Sequence, residues 1–215
     1  MPAREKLSRM ANSILFAGSV LLPRAALSQA IPVELMTGLD YGTINLVVSK
    51  GLTGTSRWGF FHQSTLTAAY SGEEQDDLAM QQLLFFEPVK GFRLTGGAFY
   101  GGPGCNPTAG MQYVNGGRAL FILVSPRVNI ESELSFSVFS IVRYKPAVAR
   151  NARLYLGMQA LNTFDANNHI DSYQWLRVGL DLMGTQAGVA VNFDEFGPHP
   201  DLQLSVGLFI RREIP

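Results

Sequence analysis

The chain has 215 residues, enough for one domain with a sizeable core. Hydrophobic residues make up 47% and charged residues only 16%, against roughly 25% charged in an ordinary soluble domain, yet no window approaches the ~20 consecutive apolar residues of a spanning helix. The 17 basic and 17 acidic residues cancel, which excludes a basic field for nucleic acid, and the single cysteine, Cys105, excludes an intrachain disulfide and a cysteine metal cluster.

Residues 1–30 have the pattern of an export signal. Arg4, Lys6 and Arg9 form a positive start, and residues 14–22 are uncharged and mostly apolar, too short to cross a bilayer as a helix. Ser28 and Ala30 then supply small residues at the −3 and −1 positions of a cleavage site. The mature domain is expected to be 31–215. Residues 1–30 hold four basic residues and one acidic, leaving 13 basic and 16 acidic beyond them, a net of −3. No cysteine follows the apolar stretch, so a lipoprotein anchor is not expected.

From residue 38 the chain alternates with period two. Strands are expected near 39–49, 57–70, 80–87, 92–101, 108–115, 118–125, 133–144, 152–163, 174–183, 185–194 and 202–211. Asn115-Gly116-Gly117 is a hairpin signal, Pro88-Val89-Lys90-Gly91 and Met183-Gly184-Thr185 read as short turns, and 101–104 and 196–200 read as longer loops. The best helix candidate is the acidic stretch 73–81. The final strands are clearest. Leu202, Leu204, Val206, Leu208 and Ile210 share one face, and Gln203, Ser205, Gly207 and Arg211 the other, with Phe209 breaking the polar side. In 174–183, Leu176, Val178, Leu180 and Leu182 are set against Gln174, Arg177, Gly179 and Asp181; 133–144 sets Leu134, Phe136, Val138, Val142 and Tyr144 against Glu133, Ser135, Ser137 and Arg143. Alternation of this kind means a strand between two unlike environments.

Strand length and the location of charge decide which face is inside. The strands run to about 10–13 residues, longer than the ~5–6 of soluble sheets and matched to the ~9–11 of a tilted transmembrane strand. Arg93, Glu133, Arg143, Arg177 and Asp181 would be costly in a dry core but comfortable in a barrel lumen. Trp58 and Tyr70 share a face, separated by about 28 Å along a membrane normal at 45° tilt, near the ~25 Å apolar band that aromatic girdles flank. Phe92 and Tyr100 bracket a neighbouring strand in the same way. The expected fold is therefore all-β: a closed antiparallel up-and-down transmembrane β-barrel of 10 or 12 strands, since single-chain bacterial barrels have even numbers.

In this pattern residues 38–214 resemble the small single-chain outer-membrane barrel proteins of Gram-negative bacteria. The resemblance implies an outer-membrane location, outer-membrane lipids as surroundings and the barrel-assembly machinery as a partner. Such proteins commonly finish on an aromatic residue, where this chain reads Arg211-Arg212-Glu213-Ile214-Pro215.

Two groups of residues carry candidate chemistry. His62 and Ser64 lie two apart on one strand face, so the imidazole could activate the hydroxyl. With Trp58, Phe60 and Leu66 on the same face, they point outward. Outer-membrane lipid A deacylases resemble this in their lipid-facing His-x-Ser pair, although Thr65 stands where that family has Asn. The lumen charges Arg177 and Asp181 are ~13 Å apart along their strand, so each is expected to pair across strands, with Glu133 or Arg143. A lumen cross-braced by ion pairs is the favoured reading over an open polar pore. His169 and His199, with Asp165, Asp171 or Asp201 nearby, match no known metal spacing. No cofactor motif is present.

The expected role is structural, adhesive or narrow-channel, and non-enzymatic. One alternative is an outer-membrane lipid acyl hydrolase using His62 and Ser64. Another is a soluble periplasmic β-barrel binding an apolar ligand, which requires Leu176, Val178, Val189 and Leu204 to point inward.

Overall fold

The structure is a computed structural model and describes residues 31–53, 56–70, 77–101, 104–117, 119–130, 134–166, 168–197 and 201–214. The export signal (1–30), Glu133 and His199 lie outside the described residues.

The strands are β1 (Ile31–Thr37), β2 (Tyr41–Gly51), β3 (Trp58–Ala69), β4 (Asp77–Val89), β5 (Phe92–Gly101), β6 (Gly104–Gly116), β7 (Leu120–Ile130), β8 (Leu134–Tyr144), β9 (Ala147–Ala149), β10 (Ala152–Phe164), β11 (His169–Leu182), β12 (Thr185–Phe196) and β13 (Asp201–Ile214). Each long strand pairs antiparallel with its neighbours, β8 passes to β10, and β1 pairs with β13. The result is a closed up-and-down barrel of twelve strands; the three-residue β9 pairs only with the start of β10. Among the described residues there is no helix.

The side-chain alternation fixes inside and outside. Ser205, Phe209 and Arg211 of β13 are buried in the lumen, while Leu202, Leu204, Val206, Leu208 and Ile210 are exposed on the outer wall. On β11 the exposed Leu176, Val178, Leu180 and Leu182 alternate with the buried Trp175, Arg177 and Asp181. The apolar-cavity alternative is thereby overturned. Leu176, Val178, Val189 and Leu204 point outward, and Arg177 and Asp181 are inside. An apolar exterior around a polar interior is the arrangement that hydrocarbon surroundings demand.

Several expectations change in detail. Gln174 lies on the outer face beside Leu176, not with Arg177, because period two puts even-numbered residues of β11 outside and gives its lumen position to Trp175. Residues 77–81 of the helix candidate belong to β4: Leu78 faces Leu66 and Met80 faces Ser64 in the sheet register; 71–76 lie outside the described residues. Gly101 pairs directly with Gly104 across the ends of β5 and β6; 102–103 of the expected long loop lie outside the described residues. The strand expected at 118–125 runs on through Pro126 to Ile130. Most important, the sequence reading omitted β1. It supplies the twelfth strand, and its Val33 and Leu35 alternate with Glu34 and Met36 as in the others.

The barrel is flattened. At Gly97 and Gly110 on β5 and β6, a Cβ would lie 2.0 and 2.3 Å from a neighbouring strand's carbonyl oxygen, so only glycine permits the close approach. Gly179 and Gly188, on β11 and β12, have the same restriction at 2.1 Å. Gly207 on β13 and Gly59 on β3 have it too, at 2.0 and 2.3 Å. Facing walls meet across the lumen. Phe61 of β3 and Phe139 of β8 approach with ring centroids 6.2 Å apart. Leu83, Phe85, Leu123, Ile141 and Leu161 complete a buried apolar cluster around them. An aromatic contact of this kind contributes about 0.5–1.5 kcal/mol beyond its area burial.

Candidate functional site in the barrel lumen

The lumen contains two chemically distinct sectors on either side of that apolar cluster. The first spans β10–β13, β1 and β2. Arg177 Nε donates to Glu34 Oε1 at 2.8 Å, and its Nη1 donates to Asn192 Oδ1 at 2.8 Å and to the Leu176 carbonyl at 3.0 Å. Asn192 Nδ2 donates to the Tyr41 hydroxyl at 3.2 Å, which donates to Asp194 Oδ2 at 2.7 Å; Trp175 Nε1 donates to the other Asp194 oxygen at 3.0 Å. Arg211 Nη1 donates to the Tyr155 hydroxyl at 3.1 Å. Asn45 Nδ2 reaches from β2 to Gln159 Oε1 on β10 at 3.0 Å, joining the two walls. A cavity of about 20 Å³ remains within this sector, between Glu34, Arg143, Tyr155, Trp175, Arg177 and Arg211.

The second sector lies along β4–β7. Here Thr95 Oγ1, both amide atoms of Gln81 and of Gln112, Ser125 Oγ and Arg127 Nε are buried with no protein hydrogen-bond partner. The Arg127 guanidinium stands 5.0 Å from the Phe99 ring centroid. In native folds buried polar groups find a partner in protein or in water; this row of side chains has none in the protein.

The residues singled out in the sequence distribute as follows. Arg143 and Arg177 line the same cavity. Arg93 is in the lumen but far from them in the fold, donating to Glu87 Oε2 and to Ser49 Oγ, each at 2.8 Å, with its guanidinium 3.9 Å from the Phe85 ring centroid. Asp181 is at the rim near the chain termini. It accepts from Lys145 at 3.3 Å, Gln186 at 2.9 Å and the Gly184 amide at 3.1 Å, so it clamps the β11–β12 turn. The expected pairing of Arg177 and Asp181 with Glu133 or Arg143 is thus corrected: their partners are Glu34 and Lys145. Sequence reading missed Glu34, Tyr41, Arg127, Asn192, Asp194 and Arg211 as a group. The signal for Glu34 was the short alternation of β1.

On the outer wall, Trp58, Tyr70, Phe92 and Tyr100 are all exposed, at opposite ends of their hairpin arms. Trp58 packs on Phe86 at 4.9 Å and Phe92 on Tyr113 at 5.0 Å between ring centroids, and the Tyr70 hydroxyl is 2.9 Å from Thr37 Oγ1. His62 and Ser64 also face outward, with His62 Nε2 at 3.2 Å from Ser64 Oγ. The residues opposite them on the flanking strands are Gln82 and Val48 for His62 and Met80 and Leu46 for Ser64, so no carboxylate stands next to the imidazole in the sheet. His169 Nδ1 is 2.8 Å from the Gly197 carbonyl.

These features define a transmembrane β-barrel of twelve strands with a filled lumen. No family model and no curated protein matches the chain. Among solved structures, it is similar to the NanC porin at 9% identity and a TM-score of 0.51, over 87% of this chain and 100% of that one. It also matches the KdgM porin (10% identity, TM-score 0.49, 86% of this chain and 99% of that one). A third match is LpxR from Salmonella typhimurium (7% identity, TM-score 0.42, 86% and 100%). The NanC likeness is one of fold.

Proposed function

We propose that the mature chain is an outer-membrane β-barrel with a narrow-channel role and no enzymatic one. Residues 1–30 direct its export, and the assembly machinery inserts it among outer-membrane lipids. The single observation that carries the channel reading is the strip of buried, protein-unpartnered polar groups from Gln81 to Arg127. An inert plug would pair or omit such groups, since leaving each unmet costs about 1–3 kcal/mol; a hydrated path requires them. The apolar contact of Phe61 with Phe139 restricts that path, which accounts for the likeness of fold to a porin without a wide bore.

Ion conductance of the purified chain in planar lipid bilayers tests this. The expected result is a small unitary conductance that rises severalfold in Phe61→Ala and in Phe139→Ala. Absence of conductance in the parent and in both variants, each folded by its heat-dependent gel mobility, would leave only a structural or adhesive role.

A second reading, acyl hydrolysis of membrane lipid, is favoured by the 3.2 Å contact of His62 with Ser64. Release of fatty acid from lipid vesicles, abolished by Ser64→Ala, would establish it. The expected outcome is no release from either form.

A further inference from the structure

We infer that the lumen cavity bounded by Arg143, Arg177 and Arg211 is a binding site for a small monatomic anion of the chloride class. Charge balance is the first argument. Three guanidinium groups and one carboxylate, Glu34, line the cavity, and the field of Glu213 also reaches Arg143, so three positive charges face two negative ones, a local charge of +1. Among the described residues only Arg177 of the three is in an ion pair, with Glu34 at 2.8 Å. Arg211 is 3% exposed and Arg177 4%, so neither is relieved by bulk water. Buried charge without a counter-ion is strongly unfavourable, and the remedy is pairing.

Directed donors are the second argument. Arg177 commits Nε to Glu34 and Nη1 to Asn192 and the Leu176 carbonyl, while Nη2 has no protein partner. The rest of its fork is therefore fixed, and one pair of N–H groups is left over. Arg211 is likewise held, through Nη1, by the Tyr155 hydroxyl. The Arg143 guanidinium carbon lies 5.3 Å from the Phe121 ring centroid, within the fields of Glu34 and Glu213.

Size is the third. The cavity of about 20 Å³ exceeds the ~10–15 Å³ that one water requires, which admits a halide. The inference deepens the narrow-channel reading, because an anion held in the lumen implies anion preference. It does not depend on conduction.

The test is a bromide soak of crystals of the full mature chain, read by anomalous scattering, with sodium halide titrations of the thermal midpoint in detergent at constant ionic strength, gluconate replacing halide. The expected result is an anomalous peak between the three guanidinium groups and a saturable rise in midpoint. Arg143→Gln should weaken the half-saturating concentration about tenfold, the loss of one charge-assisted contact, and Arg143→Lys should restore most of it. Heat-dependent gel mobility verifies that both variants fold; should the glutamine variant not fold, the parent's anomalous map decides alone. Water alone at the site, or a midpoint that stays the same when halide replaces gluconate, overturns the inference. A conducting barrel with no bromide peak removes the anion site and keeps the channel; a bromide peak in a barrel that never conducts does the reverse.

Discussion

The two sectors of the lumen use the same kinds of residue to opposite ends. Along β10–β13, β1 and β2, Glu34, Arg177, Asn192, Tyr41, Asp194 and Trp175 form one continuous chain of hydrogen bonds. Along β4–β7, Gln81, Gln112, Thr95 and Ser125 are just as buried and bond to no protein group. Both sectors belong to one sheet with one alternation, so local strand physics does not distinguish them. What differs is whether side chains on neighbouring or facing strands reach one another. The first sector is a brace, the second holds polar side chains that no protein group meets, and the contact of Phe61 with Phe139 separates them.

The largest effect that would sharpen this contrast is removal of Glu34. Breaking a buried pair by deleting one partner costs about 3–5 kcal/mol, because the other charge is left uncompensated. Glu34→Gln is expected to fall in that range in urea unfolding from lipid vesicles. Arg177→Met is expected to cost clearly less, because it lowers the local positive charge where Glu34→Gln raises it. Equal losses for the two would mean that Arg143 and Arg211 do not share the field of Glu34. Next in size is Phe139→Ala, in a ring only 1% exposed. A cavity of that kind costs about 3–5 kcal/mol, with collapse of the facing wall setting where in the range it falls.

The comparison itself is tested by matched apolar substitutions, one in each sector. Asn192→Leu removes one of the two acceptors of Arg177 Nη1 and the donor to the Tyr41 hydroxyl, and is expected to lose about 1–3 kcal/mol. Gln81→Leu removes two atoms that bond to no protein group, so it should be neutral within ~1 kcal/mol or stabilising, while lowering conductance. If both variants lose the same stability, the β4–β7 strip is braced by contacts of its own and is no solvated path.

Period two made most of the barrel wall legible in advance: lipid-facing Leu176, Val178 and Leu204 and lumen-facing Arg177 and Asp181 follow from parity once one face is known. Parity also had to be kept strictly, and it was Trp175, not Gln174, that belonged with the charges. Two strand ends were hidden for physical reasons. Pro126 suggested a stop, yet β7 continues through it with Arg127 and Asn129 still inward. The seven residues of β1 directly follow the stretch read as an export signal and include Pro32, which obscured a short alternation. Losing β1 meant losing Glu34, and with it the partner of Arg177. The pairings were beyond reach for a different reason: Glu34 and Arg177 are 143 residues apart, and only closure of the ring between β1 and β13 and flattening of the walls bring them together.

The smallest effects lie on the outer wall, where neither lumen sector is involved. Tyr70 is exposed, and its hydroxyl meets Thr37 Oγ1 at 2.9 Å. Tyr70→Phe keeps the ring at the wall and removes one neutral hydrogen bond, worth about 0.5–1.5 kcal/mol. Trp58→Leu removes the 4.9 Å ring contact with Phe86, worth a similar ~0.5–1.5 kcal/mol. Both are expected to unfold within that margin of the parent and to leave conductance and halide dependence unchanged. The two tryptophans also report the geometry directly, since Trp58 is 54% exposed outside and Trp175 only 6% exposed in the lumen. In vesicles of brominated lipid, a Trp175→Phe variant, which retains Trp58, should lose most of its fluorescence. A Trp58→Leu variant, which retains Trp175, should lose little. Equal quenching of the two would put Trp175 in contact with lipid and invert the wall, and the brace and the unpartnered strip would then have no lumen to divide.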